Sequence, residues 1–224
     1  MKAEYITHMG DDLMVVNAAR VSFDKSSEFD WIDDELGGYP VLKDQDTKLI
    51  TYLARHNHWT PFSHPQITLR ETVPIFVARQ RFKHMVGFTY NEVSRRYVDD
   101  EPEFFVPDAW RSRPDGSVKQ GSGEVHRNSA SWAETATAAT RHCLNIYNAM
   151  IADGIAPEQA RMILPQSMMT SYYVTGSLAA FARAYKQRID GHAQQEIQQL
   201  AQRWGAIIEP LFPVSWAALT QSKP

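Results

Sequence analysis

"PQITLRETVPIFVARQRFKHM", residues 65–85, changes its periodicity halfway along, and that change decides the class of fold. Ile67, Leu69, Glu71 and Val73 recur at every second position with polar side chains between them, the pattern of a strand with one buried face. Pro74 then suits the first turn of a helix, where its missing N–H would be unpaired in any case. Beyond it, Arg79 and Lys83 stand four apart, as do Gln80 and His84, so each pair shares a helical face. Gly87 is a suitable stop. The expectation is a strand running into a helix whose end delivers polar side chains to a loop carrying Asn91, Glu92 and Ser94.

The flanking sequence supports a mixture of both periods. Residues 11–20 read as a helix with aspartates in its first turn and an apolar stripe of Val15, Ala18 and Ala19; Ser22 follows its end. An acidic loop reaches about Tyr39, and helical spacing resumes over 43–55 through Leu49, Ile50 and Leu53 before Pro61 breaks it. Residues 111–129, rich in Gly, Ser and charge, form a surface loop expected to be mobile until something orders it. A helix over 130–152 follows, then a short one from Pro157 to about Leu164, and a strand in "MMTSYYVTG", 168–176. Ser177 is placed to cap a helix running to Arg188, and Asp190-Gly191 separates it from a last helix over 193–208.

Composition narrows the function. A chain of 224 residues supports one substantial core, so a single domain over 1–224 is expected. With 43% hydrophobic residues, 22% charged residues and a net charge of -3, it lacks the bulk basicity of a nucleic-acid coat, so any anion must be gripped locally. The lone cysteine, Cys143, excludes an internal disulfide and fits a reducing cytoplasm. The start has no signal-peptide core and no stretch is long enough to span a membrane, so export and embedding are not expected.

Local positive charge concentrates in "RQRFKHMVGFTYNEVSRRY", 79–97. Such runs are commonly solvated faces. Here, however, Phe82, Phe88, Tyr90 and Tyr97 interleave with arginines around Asn91-Glu92-Val93-Ser94, which suits a planar, phosphate-bearing ligand: rings stack, guanidinium forks clasp phosphate, and amide and carboxylate read an edge. A mononucleotide or dinucleotide suits this better than a polymer, although a single-strand nucleic-acid binder would use the same residue types. His56, His58 and His64 match no helical metal face and read as hydrogen-bonded turn histidines; no metal is expected. Cys143 lies on an apolar helical stripe with Ile146, Tyr147 and Met150, as packing thiols do. Ser94 has no GxSxG elbow around it, so its hydroxyl is a binding group rather than a nucleophile. Neither GxGxxG nor a P-loop is present. By themselves, Arg188 and His192 at a helix junction read as a helix C-terminal partner and a first-turn surface residue.

Seven stretches taken in chain order change that reading: "NAARVSF" (17–23), "HWTPFSH" (58–64), "PIFVARQRFKH" (74–84), "NEVSRRY" (91–97), "PEFFVP" (102–107), "ARMILP" (160–165) and "RIDGHAQQEIQQ" (188–199). Together they resemble the flavin-dependent thymidylate synthases. The resemblance implies an α+β subunit with a twisted, mainly antiparallel sheet packed with helices. It also implies a homotetramer with active sites shared between chains, acting on dUMP with FAD, methylenetetrahydrofolate and NADPH. It assigns Gln80, Glu92, Ser94, Arg96, Arg161 and Arg188 to dUMP, with Arg188 as the catalytic group, and Ser22, His58, Thr60, Lys83, His84, Asn91 and His192 to the flavin. The implied product is dTMP; a hydroxymethylated pyrimidine nucleotide, or nucleotide binding without turnover, are the alternatives.

The chain departs from the family pattern at its signature. Where the family has Arg-His-Arg, seven residues and Ser, this sequence has Lys83-His84-Met85, eight residues and Ser94. Arg81 takes a position the family commonly fills with an aromatic residue and is the candidate to replace a lost guanidinium, although it points about 100° around the helix from Gln80. Ser177 and Arg183 stand where the family usually presents asparagines near the flavin.

Overall fold

The computed structural model describes residues 1–221 except 35, 36, 99, 115 and 117–120. Its chain order begins β1 (Lys2–Met9), α1 (Asp12–Arg20), β2 (Asp30–Ile32), β3 (Tyr39–Val41) and α2 (Asp44–Arg55). Next come β4 (Gln66–Pro74) and α3 (Ile75–Arg81), then β5 (Phe88–Glu92), α4 (Ser129–Ala152) and α5 (Pro157–Ala160). The chain closes with β6 (Met169–Ser177), α6 (Leu178–Arg188), α7 (Gln195–Ile208) and α8 (Pro213–Gln221).

β1, β4, β6 and β5 form one sheet in that order, with every neighbouring pair antiparallel. The expected alternation in β4 is present: Ile67, Leu69, Glu71 and Val73 are all fully buried. β6 runs beside it from Gln66↔Ser177 to Pro74↔Met169, adding Tyr172 and Val174 to the buried face. Both strands pass into a helix without a loop, and α3 and α6 then pack with α7, whose Ile197, Leu200, Trp204 and Ile208 fill the core. The opposite face is polar. Thr68 and Thr175 hydroxyls bond at 2.9 Å across the strands, and Arg70 Nε donates to Ser171 Oγ at 3.1 Å. A face that satisfies its own hydroxyls can stay wet.

Local signals explain the ends of these elements. Ser177 Oγ accepts from Ala180 N at 3.2 Å, the expected cap of α6, and Asp11 caps α1 by accepting from Met14 N at 2.9 Å. Gly176 lies opposite Phe88, where a Cβ would fall 2.4 Å from a ring carbon, so only glycine lets that ring lie on the strand.

Several expectations need correction. Asn91 and Glu92 are not in a loop: they end β5, which pairs from Phe88↔Gly176 to Glu92↔Tyr172 along the edge of β6. The polar composition around them hid an alternation in which Phe88 and Tyr90 point toward the core and Thr89 and Asn91 away. The expected acidic loop contains the β2–β3 hairpin, and neither β1 nor α8 was expected. α8 is secured from far away, because the Asp12 carboxylate accepts from Val214 N and Ser215 N at 2.8 and 2.9 Å. In the 111–129 loop, Ser112 and Glu124 form a backbone bond of 2.9 Å and Arg111 reaches Glu196 at 2.6 Å; residues 115 and 117–120 of that loop lie outside the described residues. Among the described residues no helix is long and apolar enough to cross a membrane.

Candidate active site

Where β5 ends, the chain turns beside the start of β6, and a cleft of about 890 Å³ opens there. The turn is built by Val93 N donating to Ser171 O at 2.9 Å and Tyr97 N donating to Ser94 O at 3.0 Å. Glu92, Ser94, Arg96 and Arg161 all line this cleft. Thr170 Oγ1 donates to Glu92 Oε1 at 2.7 Å, which orients the carboxylate. Ser94 Oγ accepts from Arg96 Nε at 3.1 Å, and the Arg96 guanidinium lies 5.0 Å over the Tyr97 ring. Arg161 arrives from the turn after α5, its Nε donating to Glu158 O at 3.2 Å. Arg70, Arg79 and Arg95 add three further cations to the lining, Arg95 being paired with Asp100 at 3.2 Å. Sequence reasoning assigned none of the three; the shared face of Arg79 and Lys83 was a signal for Arg79, and nothing local marked Arg70. Thr72, Thr170 and Ser171 add hydroxyls to that of Ser94, and Asp100, Glu101 and Glu103 line the cleft beside Glu92. Guanidinium forks with hydroxyls and a fixed carboxylate suit a small anion carrying a polar head.

A second group gathers at the C-terminal ends of α3 and α6. Gln80 Nε2 donates to Gln194 Oε1. His84 is buried, and its Nε2 accepts from Arg188 Nε at 2.8 Å, so the neutral ring carries its proton on Nδ1. Burial, followed by the Arg188, Arg81 and Arg183 charges, pushes the His84 pKa down to about 4. The Arg188 pKa is lowered by burial and by Arg81. Lys83 and Met85 are exposed in the same turn, Met85 at 73%. His192 is exposed beyond α6, its Nδ1 2.9 Å from Asp190.

Arg81 does not replace a lost signature charge. Its side chain is fully buried, with Nε 3.2 and 3.3 Å from the oxygens of the equally buried Glu71, and Tyr172 donates to the same carboxylate at 2.6 Å. The guanidinium sits 4.3 Å from the Phe88 ring centre and 4.5 Å from that of Trp204. The turn of the helix that separates it from Gln80 sends it into the core. Arg183 instead reaches the Val86 carbonyl, and Ser177 is committed to its cap.

The other assigned residues lie elsewhere. Ser22 is exposed in the turn Val21–Phe23 after α1, and His58 and Thr60 are exposed ahead of Pro61–Ser63, against which α1 packs. His56 and His58 keep company with Tyr52, whose ring centre is 4.3 Å from that of His56. Asn91 faces an adjoining concavity beside Tyr173 and Thr175, which shares Glu92 and Val93 with the cleft. Cys143 is half-buried on α4. Within one chain the dUMP-assigned residues thus form two groups: four around the cleft, and Gln80 with Arg188 around the end of α3. Of the flavin-assigned residues, Ser22, His58, Thr60, Lys83, Asn91 and His192 are exposed and His84 is buried, and they come from five separate stretches of the chain.

An antiparallel α+β fold opening on arginines, hydroxyls and a held carboxylate defines a class of protein equipped for a small phosphorylated ligand. A family profile described as "Thymidylate synthase complementing protein" matches residues 4–214. The flavin-dependent thymidylate synthase of Thermosipho africanus is 33% identical over 214 residues, 94% of this chain and 86% of its own. That of Thermus thermophilus is 32% identical over 216 residues, covering 96% and 74%. A crystal structure of a UMP/dUMP methylase, PolB from Streptomyces cacaoi bound with 5-Br dUMP, superposes with a TM-score of 0.81 at 28% identity over 98% of this chain and 94% of that one. The chain belongs to the flavin-dependent thymidylate synthase family, whose members are methyl-transferring flavoenzymes.

Proposed function

We propose that this chain makes dTMP from dUMP by flavin-dependent reductive methylation, with methylenetetrahydrofolate as carbon donor and NADPH as reductant, in the cytoplasm. The observation that carries the proposal is the convergence of Glu92, Ser94, Arg96 and Arg161 on one cleft in a chain of this family. PolB, of the same fold, has been crystallised with a halogenated dUMP, which supports a pyrimidine nucleotide as the ligand. Arg96 and Arg161 would take the phosphate, with the Ser94 hydroxyl as a further donor, and Glu92 an edge of the nucleotide.

The donor set fits a flavin in chemistry and exposure: a cation at Lys83, amide and hydroxyl groups at Asn91, Thr60 and Ser22, and imidazoles at His58 and His192, all exposed. Lying in separate stretches of one chain, they would enclose a ring system where copies meet, in keeping with a homotetramer whose sites are shared. FAD, when bound, would supply the redox and one-carbon-carrying chemistry. The side chains would align the reactants and balance charge. Arg188, held by neutral His84, would face the pyrimidine carbonyls.

Purified protein given dUMP, FAD, NADPH and methylenetetrahydrofolate should yield a product with the mass of dTMP. A hydroxymethyl mass would identify the other one-carbon outcome, and colourless protein that binds dUMP without turnover would refute the proposal. Cys143→Ala should retain near wild-type turnover, measured as dTMP formed per minute, because the thiol is on α4 and outside the cleft lining. Met85 projects into open space beside the cationic turn. Met85→Arg should therefore tighten FAD binding, read as a lower dissociation constant by flavin fluorescence, as a guanidinium joins Lys83.

A further inference from the structure

Directly behind His84 lies a polar chain that packing alone does not require. Arg81 Nη1 donates to Tyr90 Oη at 2.7 Å, and Tyr90 Oη gives its single proton to the His84 carbonyl at 2.7 Å; the Arg81 carbonyl, at 3.3 Å, is the weaker acceptor. β5 brings Tyr90 there by pairing it with Val174, and its ring is held edge-on by Phe82 at 4.9 Å between centres. The backbone of the turn after α3 is thus gripped from the core side, while the imidazole of the same residue grips Arg188 on the other. An apolar core at Arg81 and Glu71 would be as stable or more so, since buried ion pairs seldom out-stabilise well-packed hydrocarbon. A phenylalanine at Tyr90 would keep the ring contacts and lose only the hydroxyl.

We propose that Arg81 and Tyr90 are positioning residues, and that the hydrogen-bond chain from Arg81 through Tyr90 to the His84 carbonyl fixes the imidazole as the acceptor that aims Arg188. The inference rests on the assignment of Arg188 to the pyrimidine. Arg188 from α6 contacts the imidazole, the charges of Arg81 from α3 and Arg183 from α6 act on it from further off, and the Tyr90 hydroxyl of β5 bonds its residue's carbonyl. All three charged groups disfavour the imidazolium. Protonation would remove the acceptor that Arg188 uses, so the contact persists only while the ring stays neutral.

The test is Tyr90→Phe in the intact, FAD-loaded enzyme, with His84 followed by NMR of labelled imidazole nitrogens. Loss of the grip lets the turn relax toward water, so the titration midpoint should rise from about 4 by roughly one pH unit, a tenfold change in proton binding. In parallel kcat should drop about tenfold with the dUMP KM little changed, since a misaimed charge acts mainly on the transition state. Arg81→Lys, which keeps the buried charge but not the planar fork, should move both readouts in the same direction. An unmoved His84 midpoint, or a moved midpoint with unchanged kcat, overturns the proposal. Normal turnover by Arg188→Ala would instead remove the assignment beneath it, a failure the nitrogen titration distinguishes because that readout does not depend on activity.

Discussion

Arg188→Ala should abolish turnover while leaving the unfolding transition near its wild-type position. The side chain is half-buried at the end of α6 and its Nε bonds only to His84 among the described residues, so truncation removes one hydrogen bond and little packing. Its functional weight is of another kind. In the proposed reaction Arg188 would face the pyrimidine carbonyls and stabilise the negative charge that develops there, and loss of one such donor costs about 2.7–4 kcal/mol of barrier, roughly 10²–10³ in rate. His84 holds Arg188 through a nitrogen that stays unprotonated down to about pH 4, so orientation is retained across the physiological range. Single-turnover dTMP formation beside a thermal melt separates the two effects. Rates within threefold of wild type would take Arg188 out of the reaction centre.

Arg81→Leu should destabilise the fold by about 3–5 kcal/mol, because it leaves the buried Glu71 carboxyl group without its cation. Tyr172 would remain as a donor to that carboxylate, and its own ionisation is already suppressed by burial and by Glu71. The double variant Arg81→Leu/Glu71→Leu should recover much of the loss, since both charges then leave the core together. Urea unfolding of wild type, both single variants and the double variant at one protein concentration gives the coupling directly. A single variant as stable as wild type would show that the pair contributes nothing to the fold.

Those two arginines illustrate what a one-dimensional pattern can carry. The alternation of Ile67, Leu69, Glu71 and Val73 announced β4 and even placed a carboxylate on its buried face, but the partner of that carboxylate lies on the next helix, ten residues on. Helical period alone sends Arg81 inward; only the missing charge of the family signature suggested the opposite. β5 was hidden because its outward positions are polar and its pairing is with a strand more than eighty residues later, an arrangement no local period encodes. α8 is fixed by Asp12, 202 residues away.

The site was legible in a similar proportion. The basic run at 79–97 pointed to a phosphate-bearing ligand from its own residue types, and the structure places Arg79, Glu92, Ser94 and Arg96 from that run around the cleft. Arg161 came from the family resemblance, as did Arg188, because a lone arginine near a helix end carries no chemistry by itself. The contact between His84 and Arg188 spans 104 residues. Only folding brings the α3 and α6 C-terminal ends together.

The most direct measurement is a crystal structure of the protein with FAD and dUMP bound together. It should show the isoalloxazine ring lying against the uracil, the phosphate on Arg96 and Arg161, and Arg188 at the base, with the surrounding residues drawn from more than one copy. Flavin and nucleotide bound at unconnected places, or the base joined to the Cys143 sulfur, would contradict it.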